Sequence, residues 1–209
     1  MSPRPQIDHI RRPQLLAAAA EVIAERGLAR TRIADVAERA GSSPPAVLYW
    51  FESKDELLLG AIVAEEDGFY VEAEAVLATL ASPRRRLEKL IDLLVADSAE
   101  PLWIELWPLA MHDRRAAEAR ERLEQRWRDL LLEVIRDGVE AGEFDVEDAG
   151  DAAIALGALT DGLSIQATLR DPAGSRERLG PLMRRAAGRL LGCELLPHGE
   201  RELELGGMA

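Results

Sequence analysis

The feature that most constrains this chain is the regular interruption of its apolar runs by glycine and proline. Within each run, apolar residues recur at spacings of three and four, which places them on one face of an α-helix. The first run covers residues 12–26 and stops at Gly27, and the second covers residues 32–40 and stops at Gly41. Glycine ends helices because it adopts the left-handed cap conformation at little cost. The pattern predicts consecutive helices joined by short turns.

The same punctuation divides the rest of the chain. Further helices are predicted over residues 43–50, 54–81, 114–141, 146–169 and 175–191, with another from Pro83 and a short one from Pro101 that Pro108 disturbs. No segment alternates between apolar and polar residues as a half-buried strand would. Ala, Leu, Glu and Arg dominate, which favours helix. We predict an all-α fold of about nine helices.

Composition bounds the class of protein. The 209 residues suffice for one large domain or two smaller ones, and 47% of them are hydrophobic. The single cysteine, Cys193, cannot form an internal disulfide and suits a reducing compartment. The first residues are polar, and charged residues break the apolar runs before they reach the length of a membrane span. We expect a cytoplasmic protein with no membrane partner.

The charge is unevenly distributed along the chain. The net charge is −12, yet residues 1–60 contain eight basic and eight acidic residues. The whole deficit therefore lies in residues 61–209. A neutral segment on an acidic body can still present basic groups on one face, so the net charge does not exclude nucleic acid.

Two short predicted helices joined by Gly41, Ser42 and Ser43 have the form of a helix-turn-helix. The second helix of such a unit enters the major groove of DNA. A hydroxyl on Tyr49 could reach a phosphate, and Lys54 opens the next helix, where a cation and free N–H groups would hold another. The candidate DNA-contacting residues are Thr31, Arg32, Ser42, Ser43, Pro44, Pro45, Ala46, Tyr49 and Lys54. The alternative is a helical hairpin that does not touch DNA.

Several residues of this segment receive other predictions. Thr31 is expected to be the N-cap of the second helix, and Phe51 with Trp50 to pack against the first helix. Phosphate attraction is assigned to Arg4, Arg11, Arg12, Arg30, Arg32 and Lys54. Arg26 and Arg39 are expected to pair with nearby acids instead.

The segment TRIADVAERAGSSPPAVLYWFESKDELL, residues 31–58, resembles the DNA-binding signature of the TetR family of bacterial transcriptional regulators. PLWIELWPLAMHD and GALTDGLSIQATLRDP resemble TetR regulators with a BetI-like C-terminal domain. Many members carry Lys-Gly where Pro44 and Pro45 stand and tyrosine at Leu48. A lysine contact is therefore absent here, and Tyr49 is expected to replace the usual tyrosine.

The resemblance implies a homodimer that binds a palindromic operator in double-stranded DNA and releases it when a small molecule of unknown identity fills its body. It implies a helix-turn-helix domain over residues 1–55 and a ligand-binding and dimerisation domain over 56–193. Residues 194–209 have no apolar face for a partner, and we expect them to form a mobile tail. The expected cavity residues are Phe69, Tyr70, Trp103, Leu106, Trp107, Met111, Trp127 and Leu131. The alternative is that these residues are plain core.

Two further groups of residues concern the ligand and the dimer contact of the domain expected over residues 56–193. Glu65, Glu66, Glu105 and Asp161 would suit a cationic ligand if any pointed inward, although acids on helices usually face water. Small residues crowd the last two helices and would let two copies of the chain pack closely; packing within one chain is the alternative.

Rival classes have less support in the sequence. The motifs of metal, dinucleotide, phosphate-loop and serine-nucleophile enzymes are missing, and the three histidines are far apart. We therefore predict no enzyme activity, no cofactor and no metal. A helical adaptor that binds protein rather than DNA is the remaining alternative.

Overall fold

The computed structural model describes residues 4–97 and 102–195, and the side chains of residues 4–10 and 97 lie outside that description. Over these residues the chain forms nine α-helices and no strand, which confirms the all-α prediction. The helices are α1 (Arg4–Arg26), α2 (Ile33–Arg39), α3 (Pro44–Trp50), α4 (Lys54–Leu77), α5 (Pro83–Asp97), α6 (Trp103–Ala110), α7 (Arg114–Glu140), α8 (Ala149–Thr168) and α9 (Arg176–Leu190). None of these described helices is both long and apolar enough to cross a membrane.

The start of α2 differs from the prediction. Thr31 is fully buried, and its hydroxyl donates to the carbonyl of Gly27 at 3.0 Å. The N-cap is Arg32, whose backbone N–H donates to the Asp35 carboxylate at 3.1 Å. The prediction that Thr31 caps α2 is therefore wrong: the threonine hydroxyl is used by the turn before the helix, and Asp35 satisfies the helix end instead.

Other helix ends also shift. The first helix begins at Arg4 and contains Pro13, although the sequence predicts a start at residue 12. The N-cap of α8 is Asp148, whose carboxylate accepts from the Asp151 N–H at 2.9 Å. The helix therefore starts at Ala149, three residues later than predicted. A short acidic side chain at that position satisfies a free N–H group and so sets the start of the helix.

The chain divides into two compact units. The first contains Met1–Tyr70 and Pro101–Leu123, and the second contains Val71–Glu100 and Glu124–Ala209. The domain boundaries expected from the sequence remain a prediction about function. The core of the first unit joins α1 to α2 and α3 through fully buried apolar side chains, among them Leu15, Val22, Ile23, Val36 and Val47.

The second unit packs α5, most of α7, α8 and α9 together. Its fully buried side chains include Leu87, Leu90, Ile91, Ile135, Leu156 and Leu179. Arg184 and Asp92 form a largely buried ion pair between α9 and α5. Glu194 and Leu195 are the only described residues of the expected mobile tail, and Leu195 is buried; residues 196–209 lie outside the described residues.

Candidate functional site

The turn between α2 and α3 is set by the backbone of Gly41. This residue has φ 58°, a left-handed conformation that glycine adopts at little cost. The Ser42 N–H donates to the carbonyl of Ala37 at 2.8 Å, which closes the end of α2. Ser43 is then the N-cap of α3, and Pro44 and Pro45 occupy its first turn, where a missing N–H group leaves no bond unmade. The two helices form a helix-turn-helix.

Only one side chain of α3 is buried. Val47 is 0% exposed, and Phe51, one turn further, is 1% exposed. The Phe51 ring lies 5.0 Å from the Arg12 guanidinium of α1. Val47 within the helix and Phe51 at its C-cap are the two buried side chains that anchor α3.

The opposite side of α3 is open. Leu48 is 50% exposed and Tyr49 77% exposed, and Pro44, Pro45 and Ala46 are also exposed. Tyr49 meets the edge of Trp50 with ring centroids 5.3 Å apart. The segment predicted to project therefore forms a short helix that is anchored on one face and free on the other.

Two of the arginines in this unit are paired with acids, as the sequence predicts. Arg26 lies 2.9 Å from Asp35. Arg39 lies 2.7 Å from Glu21 and 2.6 Å from Glu25, and these hydrogen bonds, the one to Glu21 most, raise the pKa of its guanidinium.

Other basic side chains near the helix-turn-helix in sequence lack such partners. Arg12 has a long contact of 3.8 Å with Glu56. Arg11, Arg30, Arg32 and Lys54 form no ion pair with the described residues, and Arg30 donates instead to the Arg26 carbonyl at 2.6 Å. The side chain of Arg4 lies outside the described residues.

The second unit contains a small apolar cavity of about 10 Å³, the room that roughly one water molecule needs. The cavity is lined by Leu87, Leu90, Ile91 and Leu94 of α5, Trp127 and Leu131 of α7, Leu156 and Thr160 of α8, and Met183 and Ala187 of α9. The Thr160 hydroxyl donates to the Leu156 carbonyl at 2.9 Å, so its proton is already used.

Trp127, which lines this cavity, carries a buried indole N–H group. Its side chain is 8% exposed, and its buried Nε1 has no hydrogen-bond partner among the described residues. A Cβ built on Gly157 would lie 3.6 Å from that nitrogen, so α7 and α8 approach closely here. Buried indole N–H groups usually find an acceptor. The cavity wall itself is apolar, and this donor lies at the contact between α7 and α8 beside the cavity.

Two family models match the segments that contain the helix-turn-helix and the cavity. Residues 15–61 match the family model described as bacterial regulatory proteins, tetR family. Residues 83–192 match the model described as BetI-type transcriptional repressor, C-terminal. The chain is a TetR-family transcriptional regulator. Its helix-turn-helix lies within the first match and its cavity within the second.

Sequence and structural relatives of this regulator are similar to it over most of its length. It is 30% identical over 174 residues to the HTH-type transcriptional regulator BetI of Rhizobium meliloti (strain 1021), covering 80% of this chain and 83% of that one. It is 28% identical over 192 residues to BetI of Escherichia coli (strain K12), covering 87% and 94%. A putative transcriptional regulator from Saccharomonospora viridis, solved in complex with choline, has TM-score 0.80 at 28% identity, covering 86% and 96%.

Of the eight expected cavity residues, the regulator brings two to the cavity, Trp127 and Leu131. The other six belong to the first unit. There, Tyr70 is buried and donates its hydroxyl to the Leu123 carbonyl at 3.1 Å, and Leu106 is buried. Trp103 and Trp107 contact each other at 5.9 Å between centroids. Phe69 is half-buried and contacts the Tyr70 ring, and Met111 is 77% exposed.

Most of the cavity lining was missed because it is aliphatic. Leu87, Leu90, Ile91 and Leu94 share one face of α5 at spacings of three and four. That periodicity predicts burial, and it does not distinguish a cavity wall from ordinary core.

The four acids have different environments. Asp161 of α8 is half-buried, and burial, with repulsion from Glu124, raises the pKa of its carboxyl to about 6 against the attraction of Arg128. Glu105 accepts from the Leu28 N–H at 3.4 Å and so serves the turn after α1. Glu65 is exposed and Glu66 half-buried, and neither lines the cavity.

Proposed function

We propose that this regulator is a homodimeric repressor that binds a palindromic operator through α2 and α3 and leaves it when a small molecule enters the cavity of the second unit. The observation that carries the proposal is the one-sided anchoring of α3. Its exposed face is free to enter a groove. Basic side chains that form no ion pair with the part of the chain that the structure describes precede and follow it in sequence.

The DNA contacts divide into two kinds. Ser42, Ser43, Pro44, Pro45 and Ala46 are the proposed neighbours of base edges, and Arg32, Tyr49 and Lys54 the proposed phosphate contacts. Lys54 is the first residue of a 24-residue helix, whose N-terminus also favours anions. Thr31 is left out of the proposal because its side chain is buried and its hydroxyl is used by Gly27.

A mobility-shift assay tests DNA binding directly. The full chain is titrated onto fragments from the region upstream of its own coding sequence, with random DNA as competitor. We expect a retarded band that survives competition. Failure to retard any genomic fragment would contradict the proposal and favour the protein-binding adaptor.

The effector site is proposed at the cavity lined by Trp127. A ligand larger than one water has to part the side chains of α5, α7, α8 and α9, since the cavity holds no more. A ligand that parts α7 from α8 would uncover the Trp127 N–H, which has no partner among the described residues and could then donate to an acceptor on the ligand. The indole face would attract a cation. Choline is the first compound to test, because the structural relative from Saccharomonospora viridis holds it.

The ligand site is tested by calorimetric titration of choline into the wild type and two variants. Trp127→Phe removes the buried indole N–H beside the cavity and should weaken binding by about 2- to 10-fold, the effect of one hydrogen bond. Trp107→Phe is the matched control, because Trp107 lies in the first unit outside the cavity lining. A loss confined to Trp107→Phe would move the site to the first-unit aromatic residues.

The dimer surface is proposed on α8 and α9. The small residues of α8 divide between two faces: Ala152, Ala153 and Gly157 are buried within the protomer, whereas Ala158 and Gly162 are exposed beside Ile154 at spacings of four. Ile154 is 58% exposed and Leu190 of α9 39% exposed. Two such helices from each protomer would form a four-helix interface.

The same helices link effector and operator in this proposal. Because α8 and α9 line the cavity and also carry the proposed interface, a ligand that widens the cavity changes how two protomers meet. That change alters the spacing of the two α3 helices, which must be about 34 Å to fit successive turns of DNA. A coupling of ~1–3 kcal/mol would weaken operator binding by about 5- to 150-fold.

Dimerisation is tested by sedimentation at micromolar concentration. We expect the wild type to be dimeric and Ala158→Glu, which places a charge in the proposed interface, to be monomeric with an unchanged circular dichroism spectrum. A strictly monomeric wild type would contradict the proposal. In this account the chain acts by binding rather than by catalysis, and it works in the cytoplasm, where bacterial DNA is transcribed.

A further inference from the structure

The exposed face of α3 offers few groups that can hydrogen-bond to a base. Its exposed side chains are Pro44, Pro45, Ala46, Leu48 and Tyr49. The first four end in hydrocarbon, and the two prolines have no N–H group. The polar side-chain groups on this helix and its N-cap are the hydroxyls of Tyr49 and Ser43 and the indole N–H of the half-buried Trp50.

Base edges in the major groove are read by particular side chains. Arginine and lysine read guanine, and asparagine and glutamine read adenine, each through paired hydrogen bonds. None of these four residue types occurs between Ser42 and Ser53. The one apolar feature of a base edge in this groove is the 5-methyl group of thymine, which side chains such as alanine contact.

We propose that α3 reads its half-site through thymine methyl groups, which pack against Pro45, Ala46 and Leu48. We assign this apolar face to the major groove because of the cations that flank α3 in sequence. Arg32 and Lys54 form no ion pair with the described residues, and they suit the phosphates that border the groove. The inference rests on the proposed operator binding and adds its chemical basis: each half-site carries thymines where α3 meets the groove, and no guanine is read by this helix.

The test uses the full chain and an operator obtained by selection from random duplex DNA. Each thymine is then replaced by deoxyuridine, which removes the methyl group and leaves every hydrogen-bonding group in place. Burying one methyl-sized group is worth ~0.8 kcal/mol, so we expect a loss of about fourfold for each contacted thymine. Replacing neighbouring guanines with 7-deazaguanine, which lacks the N7 acceptor, should change affinity less than about twofold.

Two variants connect the effect to α3. Leu48→Ala is expected to reduce the deoxyuridine effect at the thymine that Leu48 contacts, since the variant has less hydrocarbon to pack on the methyl. Tyr49→Phe keeps its ring and should show the full effect. Both side chains are exposed, so both variants are expected to melt as the wild type does.

The outcomes separate the two proposals. Tight, sequence-selective binding that is insensitive to deoxyuridine at every position would overturn methyl readout and leave operator binding intact. A large loss of affinity with 7-deazaguanine, together with no loss when thymines are replaced by deoxyuridine, would overturn methyl readout as well. Absence of sequence-selective binding to any duplex in the selection would overturn the operator proposal together with it.

Discussion

Replacing Arg32 with alanine should reduce the salt dependence of operator binding. Arg32 is exposed at the start of α2, its side chain makes no capping hydrogen bond, and it forms no ion pair with the described residues. If it contacts a phosphate, it releases a condensed counterion each time the complex forms. Removing it then weakens binding at low salt more than at high salt, because that counterion no longer contributes.

The magnitude follows from the number of unpaired cations. Four cations that form no ion pair with the described residues, Arg11, Arg30, Arg32 and Lys54, lie near the helix-turn-helix in sequence, and a dimer would place eight on DNA. At ~0.9 per phosphate, log K falls with log salt at a slope of about −7. The Arg32→Ala dimer loses two contacts, and its slope should be about −5.5. Between 50 and 200 mM salt, the variant should lose about tenfold less affinity than the wild type.

Arg39→Ala is the matched control. It removes the same charge from the same helix, but Arg39 is held by Glu21 and Glu25 at 2.7 and 2.6 Å. A guanidinium already paired with two carboxylates releases no counterion from DNA. We expect the slope of this variant to equal that of the wild type.

Fluorescence anisotropy with a labelled operator measures both slopes over the same salt range. Equal slopes for the wild type and Arg32→Ala would refute the assignment of Arg32 to a phosphate. A change in Arg39→Ala as large as that in Arg32→Ala would refute the reasoning that ion pairing in the free protein decides which cations bind DNA.

Three further predictions concern the folded protein. Gly138→Ala should destabilise the fold by about 1–2 kcal/mol and so lower the melting temperature by a few degrees, because the new Cβ would collide with the buried ring of Phe144; Gly68→Ala, with open space around its helical site, should raise the melting temperature. Burial raises the pKa of Asp161 to about 6, so this group's contribution to stability falls as pH rises from about 4 to 6; thermal melts of Asp161→Asn should lack that loss, and a pH profile parallel to the wild type would contradict it. Thr31→Val should cost ~1 kcal/mol in urea unfolding while leaving operator affinity unchanged, because the Thr31 hydroxyl bonds within the protein; weakened DNA binding in a folded variant would return Thr31 to the interface.

Local chemistry made the helices predictable. Gly27, Gly41 and Gly142 have φ of 77°, 58° and 69°, and each follows a helix where the sequence places its end. Glycine marks these sites because other residues adopt a positive φ at a cost. Ser53 likewise accepts from the Glu56 N–H at 3.1 Å, a bond that serine followed by glutamate three residues later typically makes at the start of a helix. Signals of this kind depend on residues within one turn of each other.

The cavity was less predictable because its walls come from four separate helices. The aromatic residues predicted a cavity, and Trp127 does line one. Leu87 and Met183 join Trp127 in the lining only because α5 and α9 pack beside α7. Periodicity shows which face of a helix is buried and not which helices that face meets. Thr31 failed for a related reason: threonine is a good N-cap, and its burial was decided by packing rather than by its neighbours in sequence.

The attachment of α3 through Val47 and the adjoining Phe51 also bears on how this regulator could evolve. Changes at most other positions of the helix alter groups that face solvent, so they cost the fold little. New side chains can therefore be tried there one at a time while the scaffold keeps its stability. A duplicated copy of the gene could acquire a different target promoter through a handful of substitutions, without first passing through an unfolded intermediate.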